Sequence, residues 1–211
     1  MNPLKSIAGT IISGIILAVI LALVTRGDHL VIIPELSIIL WLHVLAGITW
    51  IGLLYYFNFV QVPALGEAMS DDGGPGGAGI TKYVAPRALW WFRWGALVTW
   101  LTGAAYLLRF GAGAGNALGT LDDAFALGMM GESTNAYAMT IGIGAWLGTI
   151  MLFNVWVLIW PNQKKILGMV EATTEEIAKA KNTALLASRS NTLMSIPLVM
   201  SMVGAHHGFF M

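Results

Sequence analysis

Histidine is the residue type in this sequence that could bind a metal or a cofactor. The chain has four histidines and no cysteine. Three of them, His43, His206 and His207, lie in strongly apolar stretches, where an imidazole without a partner costs free energy. The absence of cysteine excludes thiolate ligands, disulfides and covalent c-type heme attachment. The chemistry that remains open to these residues is imidazole ligation, and a b-type heme is bound in this way.

Two of the histidines are predicted to lie at similar depths in the membrane. His43 is six residues into the second apolar stretch, or about 9 Å from its outer end at about 1.5 Å per residue. His206 lies at a similar distance from the outer end of the last stretch, about 9 Å by the same geometry. Two axial ligands of one heme b would need such a similar depth, so His43 and His206 are the candidate ligands of one iron. His207 or a methionine such as Met200 or Met202 remains an alternative for the second ligand.

Gly47 and Trp50 share a helix face with His43, at spacings of four and seven residues. Gly47 removes a side chain one turn from the histidine, which would admit the edge of a flat ring, with Trp50 packed on it. The same glycine could instead admit a neighbouring helix while His43 forms a hydrogen bond across the bundle. Both interpretations remain open from the sequence.

Other polar residues of the apolar stretches have two interpretations. Arg93 lies among tryptophans near the predicted inner end of the third stretch. It is either an arginine that reaches the membrane interface within an aromatic belt, or the partner of an anionic group such as a heme propionate or a substrate. Several amides and one arginine also gather near inner ends, where a polar network between helices would account for them; they are Asn58, Gln61, Asn154, Asn162, Arg189 and Asn191.

The composition requires elements that cross a membrane. The sequence is 57% hydrophobic and 10% charged, with a mean hydropathy of +0.74. A spanning helix needs roughly 20 apolar residues, and five stretches qualify, at about 7–24, 37–60, 88–108, 136–160 and 192–210. Pro161 is expected to end the fourth helix, and a capping-box spacing at Thr173 and Glu176 predicts an interfacial helix over about 174–190 that could continue into the last span. The predicted fold is an all-α integral membrane helical bundle with five transmembrane helices, as a single domain over 1–211.

The distribution of charge predicts the orientation. Alternating the segments places nine lysines and arginines on one side and only Arg26 and Arg109 on the other, which predicts a cytoplasmic N-terminus and a periplasmic C-terminus in a bacterial inner membrane. The outer side then carries five acids, Asp28, Glu35, Asp122, Asp123 and Glu132. The formal net charge is zero, which excludes a nucleic-acid partner and leaves the lipid bilayer as the expected environment.

Several sequence motifs resemble a known membrane family. The motifs are Trp41-Leu42-His43-Val44 through Gly52, Tyr83-Val84-Ala85-Pro86 with Trp91-Phe92-Arg93-Trp94, Gly148-Thr149-Ile150-Met151 through Asn154, Pro161-Asn162-Gln163-Lys164-Lys165, and Arg189-Ser190-Asn191-Thr192-Leu193 leading to Pro197 and His206. Together they resemble the urate oxidase N-terminal domain of bacterial membrane urate hydroxylases. The resemblance covers the second to the last span and implies a relationship to proteins that often carry a C-terminal cytochrome c, which this chain lacks before Met211.

These observations lead to one functional expectation and two alternatives. We expect a heme b protein in electron transfer or oxidation that exchanges electrons with an external cytochrome c or within a larger membrane complex. The first alternative is a non-enzymatic accessory subunit whose histidines only form hydrogen bonds. The second is a urate or porphyrinogen oxidase, since the His43 helix also resembles small protoporphyrinogen oxidases and copper-resistance membrane proteins.

Overall fold

The protein is helical throughout the part that the structure describes. The computed structural model describes residues 2–25, 34–112 and 119–208, and the side chains of residues 111, 112, 119 and 206 lie outside this description, as do Arg26, Asp28 and His29. Within these ranges there is no strand. The helices are α1 (Ile7–Thr25), α2 (Glu35–Tyr56), α3 (Val62–Ser70), α4 (Ala85–Ala112), α5 (Gly119–Phe125), α6 (Ala136–Phe153), α7 (Trp160–Ile166) and α8 (Thr174–His207).

The chain forms two units, Met1–Glu35 and Leu36–Met211. The first unit is essentially α1, which follows a short 3₁₀ turn at Pro3–Lys5. The hydroxyl of Ser6 accepts a hydrogen bond from the Gly9 N–H at 3.0 Å and so caps the helix start. None of the 19 residues of α1 is buried.

The second unit is built around a core at the junction of α2, α4, α6 and α8. Its fully buried large side chains include Trp50 and Leu54 of α2, Phe92 of α4, and Met151 of α6. Phe57 meets Phe92 edge to face, with ring centroids 5.5 Å apart, a favourable geometry for aromatic rings. We call the end of this unit that holds the starts of α2 and α6 the outer end, after the predicted orientation, and the opposite end the inner end.

Three π-helical turns precede three prolines in the inner half of this unit. The turns are Phe57–Gln61, Ile80–Val84 and Asn154–Ile159, and Pro63, Pro86 and Pro161 each follow as the second residue of the next α-helix. A proline in a helix lacks an N–H and clashes with the carbonyl four residues earlier, and a widened turn relieves that clash. The prediction that Pro161 ends the fourth helix is therefore wrong, because the helix continues through the π turn to Ile166.

Helix α8 joins the predicted interfacial helix and the last predicted span into one element. Thr173 and Glu176 form the predicted capping box, with both reciprocal hydrogen bonds present. The helix has 34 residues and is about 51 Å long at about 1.5 Å per residue. This is longer than a hydrocarbon core of about 30 Å, so part of α8 extends beyond it if the helix spans a bilayer.

Three helices are long and apolar enough to cross a membrane, within the ranges described. They are Ile7–Thr25, Glu35–Ser70 and Ala136–Ile166, the last two running through their π turns. Helices α4 and α8 do not meet the same criterion of length, charge and hydropathy. The structure thus confirms an all-helical fold with strongly apolar helices, and the count of five spans stays a prediction.

Candidate cofactor-binding cavity

The outer half of the second unit contains a cavity of about 270 Å³. Side chains of α2, α4, α5, α6 and α8 line it, and nearly all of them are apolar. Cofactor and ligand sites are usually apolar clefts of about 300–1,000 Å³ with few polar groups, so this cavity resembles them in lining and is slightly smaller than that range. Leu40 and Val44 of α2 and Val203 of α8 line it and are each about half exposed, so the cavity opens between these two helices.

His43 lies in the cavity wall with one ring nitrogen already engaged. Its Nδ1 atom is 2.8 Å from the carbonyl oxygen of Thr99 and 3.3 Å from the hydroxyl oxygen of Thr102. The Thr102 hydroxyl donates its own hydrogen to the carbonyl of Val98, at 2.7 Å, so towards His43 it can only accept. Because both partners accept, Nδ1 carries the proton and Nε2 of the neutral imidazole keeps its lone pair.

This arrangement of His43 is the one found in metal-binding histidines. Such a residue usually donates its second ring N–H to a carbonyl or carboxylate, which fixes the tautomer and the ring orientation. The structure shows no hydrogen bond from Nε2 to any described residue. An iron placed in the cavity would therefore meet a ligand atom whose orientation is already set. The hydrogen bond to Thr99 also fits the alternative interpretation, in which His43 forms a hydrogen bond to a neighbouring helix and binds no cofactor.

Gly103 makes room for the imidazole, and sequence reasoning missed it. A Cβ atom at this position would lie 2.9 Å from Cε1 and 3.3 Å from Nδ1 of His43, closer than normal contacts allow. Its spacing of four residues from Thr99 on α4 mirrors that of Gly47 from His43 on α2. The sequence contains this matching spacing, but only the register between α2 and α4 shows that Gly103 lies beside His43.

Gly47 lies against Thr99 and is not among the residues that line the cavity. A Cβ added to Gly47 would be 3.8 Å from the Thr99 methyl group, which is an ordinary contact. The tighter approach of α2 to α4 is at Gly95, where a Cβ would be 3.4 Å from the main-chain nitrogen of Trp50. The surroundings of Gly47 are therefore those of a helix contact.

Trp50 lines the cavity, as its spacing from His43 suggested. The side chain is 2% exposed, and its Nε1 atom has no hydrogen-bond partner among the described residues. Trp50 also belongs to the main apolar core. It is thus part of both the cavity wall and that core.

Helix α8 contributes Met202 to the cavity wall. Gly144 of α6 admits it, because a Cβ there would lie 2.7 Å from the Met202 methyl carbon and 2.8 Å from the Ser201 hydroxyl. Met200 is exposed on another face. His206 follows Met202 by one helical turn, and its side chain lies outside the description. His207 is exposed, is the last residue of α8 and does not line the cavity.

The short helix α5, which was not predicted, closes the outer side of the cavity with Leu121 and Phe125. It packs on α6 at Gly142, where a Cβ would overlap the Ala124 carbonyl. The indole N–H of Trp146 donates to the carbonyl of Phe125 at 2.9 Å. Helix α5 is thus held against the bundle by both packing and hydrogen bonding.

Arg93 lies apart from the cavity lining. Its guanidinium group stacks on Trp160, with the central carbon 3.7 Å from the ring centroid. Cation–π contacts of this kind attract a cation to an indole face. This contact favours the aromatic-belt interpretation of Arg93 over a role beside a group bound in the cavity.

Three amides of the inner half, Asn58, Asn154 and Asn191, form hydrogen bonds between helices, whereas Asn162 bonds to the Leu158 carbonyl of its own helical segment. Asn154 Nδ2 donates to Asn191 Oδ1 at 2.8 Å, and Asn191 Nδ2 donates to the Met151 carbonyl at 3.0 Å. Asn58 Nδ2 donates to the Ser188 hydroxyl at 2.8 Å. Among the described residues there is no group of three or more histidine, aspartate or glutamate side chains that could bind a metal ion by themselves.

A family model described as urate oxidase N-terminal matches residues 123–211. This match confirms the family resemblance over the C-terminal part of the chain, from the end of α5 through α8. It covers less than half of the chain; it includes Met202 and His206 and leaves out His43 and Thr99. A comparison with curated proteins finds no match, and one with solved structures finds none either.

Proposed function

We propose that this chain is an integral membrane protein with five spans that binds one heme b in the cavity and transfers single electrons. The observation that carries the proposal is the state of His43. Its Nδ1–H is fixed on the Thr99 carbonyl, which leaves the Nε2 lone pair free at the wall of an apolar cavity. When bound, a heme supplies an iron that cycles between ferrous and ferric states.

His43 and His206 are the proposed axial ligands. His43 approaches from the wall that α2 forms with α4. Met202 lines the cavity from α8, and a residue four positions later shares its helix face, which supports His206 as the second ligand. Met202 remains the alternative because a thioether is also an axial ligand of heme iron. The exposure of His207 makes it the weaker choice.

The cavity lining suits a flat apolar ring. Trp50 and Phe125 offer aromatic surfaces, and the glycines at 103 and 144 make room in the cavity wall for the side chains of His43 and Met202. The opening between α2 and α8 is formed by apolar residues of a segment that we place in the bilayer. We propose that ring entry occurs from this side, where the bilayer keeps water away.

The proposed setting is a bacterial inner membrane, with the N-terminus in the cytoplasm and the C-terminus in the periplasm. The apolar helices and the excess of lysine and arginine on one side support it. A reporter fused after Met211 should be active only in the periplasm. Activity of a cytoplasmic reporter at that position would contradict the orientation.

The proposed electron partner is an external cytochrome c, or a redox subunit of a larger membrane complex. A heme in the outer half lies close to the outer face, and the resemblance implies relatives that carry a cytochrome c. In the competing proposal the protein is an accessory subunit, and the hydrogen bond from His43 to Thr99 only joins α2 to α4. The family match keeps urate oxidation as a further candidate, and the resemblance of the His43 helix keeps porphyrinogen oxidation as another.

Heme extraction distinguishes the proposed heme protein from the accessory subunit without heme. The protein purified from heme-replete cells should release about one heme b per chain into acidified organic solvent, because ligation through histidine leaves no covalent link to the ring. His43→Ala should release far less, and His29→Ala should release as much as the parent. A purified, folded protein without extractable heme would favour the accessory subunit.

A further inference from the structure

The π turn Phe57–Gln61 holds two buried amide oxygens without partners. Gln61 is 7% exposed, and its Oε1 atom accepts no hydrogen bond from any residue that the structure describes. Asn58 donates through Nδ2 to the Leu54 carbonyl at 2.9 Å and to the Ser188 hydroxyl at 2.8 Å, but its Oδ1 atom is also unpartnered. A buried polar atom without a partner costs about 1–3 kcal/mol, so two on one turn require an explanation.

The turn itself adds a third acceptor. The N–H of Val62 bonds to the carbonyl of Phe57, five residues earlier. Pro63 comes next and has no N–H, so one further main-chain carbonyl of this turn loses its helical donor. The turn therefore presents three acceptors, and the donor group of Asn58 is already engaged.

The chemistry of these groups identifies the occupant. Neutral amide and main-chain oxygens need a hydrogen-bond donor, and a water molecule donates two hydrogen bonds and accepts others. A cation would be poorly compensated, because the acceptors carry no formal charge and the nearest acid along the chain, Glu67, is exposed. Buried water typically forms about three hydrogen bonds to such otherwise unsatisfied groups.

We propose that one or more ordered water molecules are bound between α2 and α8 at this turn, held by Asn58 Oδ1 and Gln61 Oε1. The Asn58–Ser188 hydrogen bond places α8 beside the site. The water adds hydrogen bonds between the two helices to the direct one between Asn58 and Ser188. The proposal is independent of heme binding, because the site lies in the inner half of the unit and shares no residue with the cavity.

Radiolytic hydroxyl-radical labelling of the full chain in detergent tests the proposal. Radicals form from bound water, so a side chain beside buried water is labelled despite its burial. Phe57 is 8% exposed and lies on the same turn, whereas Met151 is fully buried and has a more reactive side chain. We expect several-fold more label on Phe57 in the parent protein than in Gln61→Leu, with Met151 protected in both. A Phe57 ring protected in the parent overturns the proposal.

Stability provides a second readout. Replacing Gln61 by leucine should lower the unfolding midpoint in detergent if the amide holds water, because those bonds are lost. If the oxygen is truly unpartnered, the same change removes a desolvated group and should raise the midpoint. Gln163→Leu, the same substitution on α7, is the matched control and should change it little. A raised midpoint for Gln61→Leu contradicts the proposal.

Discussion

The Nδ1 atom of His43 on α2 lies 2.8 Å from the carbonyl oxygen of Thr99 on α4. A carbonyl cannot donate, so this distance assigns the ring proton to Nδ1 and the lone pair to Nε2. The same hydrogen bond joins two helices and sets the orientation of the imidazole. A packing role and a ligand role for His43 therefore use the same geometry, and they are separated by what Nε2 binds.

Gly103→Ala should disrupt the cavity by displacing the imidazole of His43. The new methyl group would lie 2.9 Å from Cε1, so the ring must move off the Thr99 carbonyl. Overpacking of this kind costs about 1–3 kcal/mol. We expect a clear loss of bound heme in the purified variant, measured as heme per chain.

Gly47→Ala is the matched control on the facing helix. Its methyl group would be 3.8 Å from the Thr99 side chain, an ordinary contact, so heme content should be unchanged. Equal heme loss in both variants would indicate a general weakening of the α2–α4 contact and would count against a specific role for Gly103.

Part of this site follows from the sequence, and part depends on helix register. The i, i+7 spacing placed His43 and Trp50 on one face, and both line the cavity. Thr99 and Gly103 were not identified, because their role depends on how far α4 is shifted along α2. That shift is set by close contacts such as the one at Gly95, between residues distant in sequence.

The second ligand can be assigned by three variants on α8. His206→Ala should convert a six-coordinate low-spin heme to a five-coordinate high-spin one, whereas Met202→Leu, a change of similar volume, should leave the spin state as it was. His207→Ala should resemble the parent, because that residue is exposed. Electron paramagnetic resonance of the oxidised protein reports the spin state. A high-spin signal from Met202→Leu alone would assign the thioether instead.

The fold shows a similar division between local and non-local information. The capping box at Thr173 and Glu176 was predictable because it depends on two residues three positions apart. The continuation of the helix past Pro161 was not, because a π turn absorbs the proline and no simple sequence pattern specifies that turn. Helix α5 escaped prediction because it is short and follows a glycine-rich segment.

Asp122 should assist encounter with a basic cytochrome c. It is exposed on α5, whereas the Asp123 carboxylate is held by Asn135 Nδ2 at 3.0 Å, so only Asp122 can be reversed without disturbing the loop. Asp122→Lys should slow electron transfer at low ionic strength. It should have little effect at high salt, where the screening length is shorter than about 8 Å. Stopped-flow absorbance measures the rate.

The control for that experiment is Asp72→Lys, which reverses an exposed acid between α3 and α4, on the predicted opposite side. It should leave the rate unchanged. If both substitutions slow the reaction equally, net charge rather than a docking face is responsible.

The junction of α7 and α8 should loosen in acid. The Thr173 N–H, which donates to the Glu176 carboxylate at 2.8 Å, and Lys165, 3.5 Å away, lower the pKa of Glu176 below its ordinary value of 4.5. Because this pKa is lowered in the folded state, the Glu176 carboxylate stabilises the junction fully at pH values above the ordinary pKa. That stabilisation is lost as the pH falls through the pKa of the folded state. Amide exchange at residues 174–177 should therefore accelerate below about pH 4.5.

Glu176→Gln keeps a group that can accept the capping bond but cannot titrate. Its exchange rates, corrected for intrinsic pH dependence, should not show the additional acid acceleration. The same acceleration in both proteins would mean that another group controls the junction.

The reduced-minus-oxidised optical spectrum of the purified protein, recorded beside that of His43→Ala, tests the central claim most directly. The account predicts a Soret and an α band of a b-type heme in the parent protein, and their loss or shift in the variant. A folded parent protein without these bands, or a His43→Ala spectrum identical to that of the parent, would contradict it.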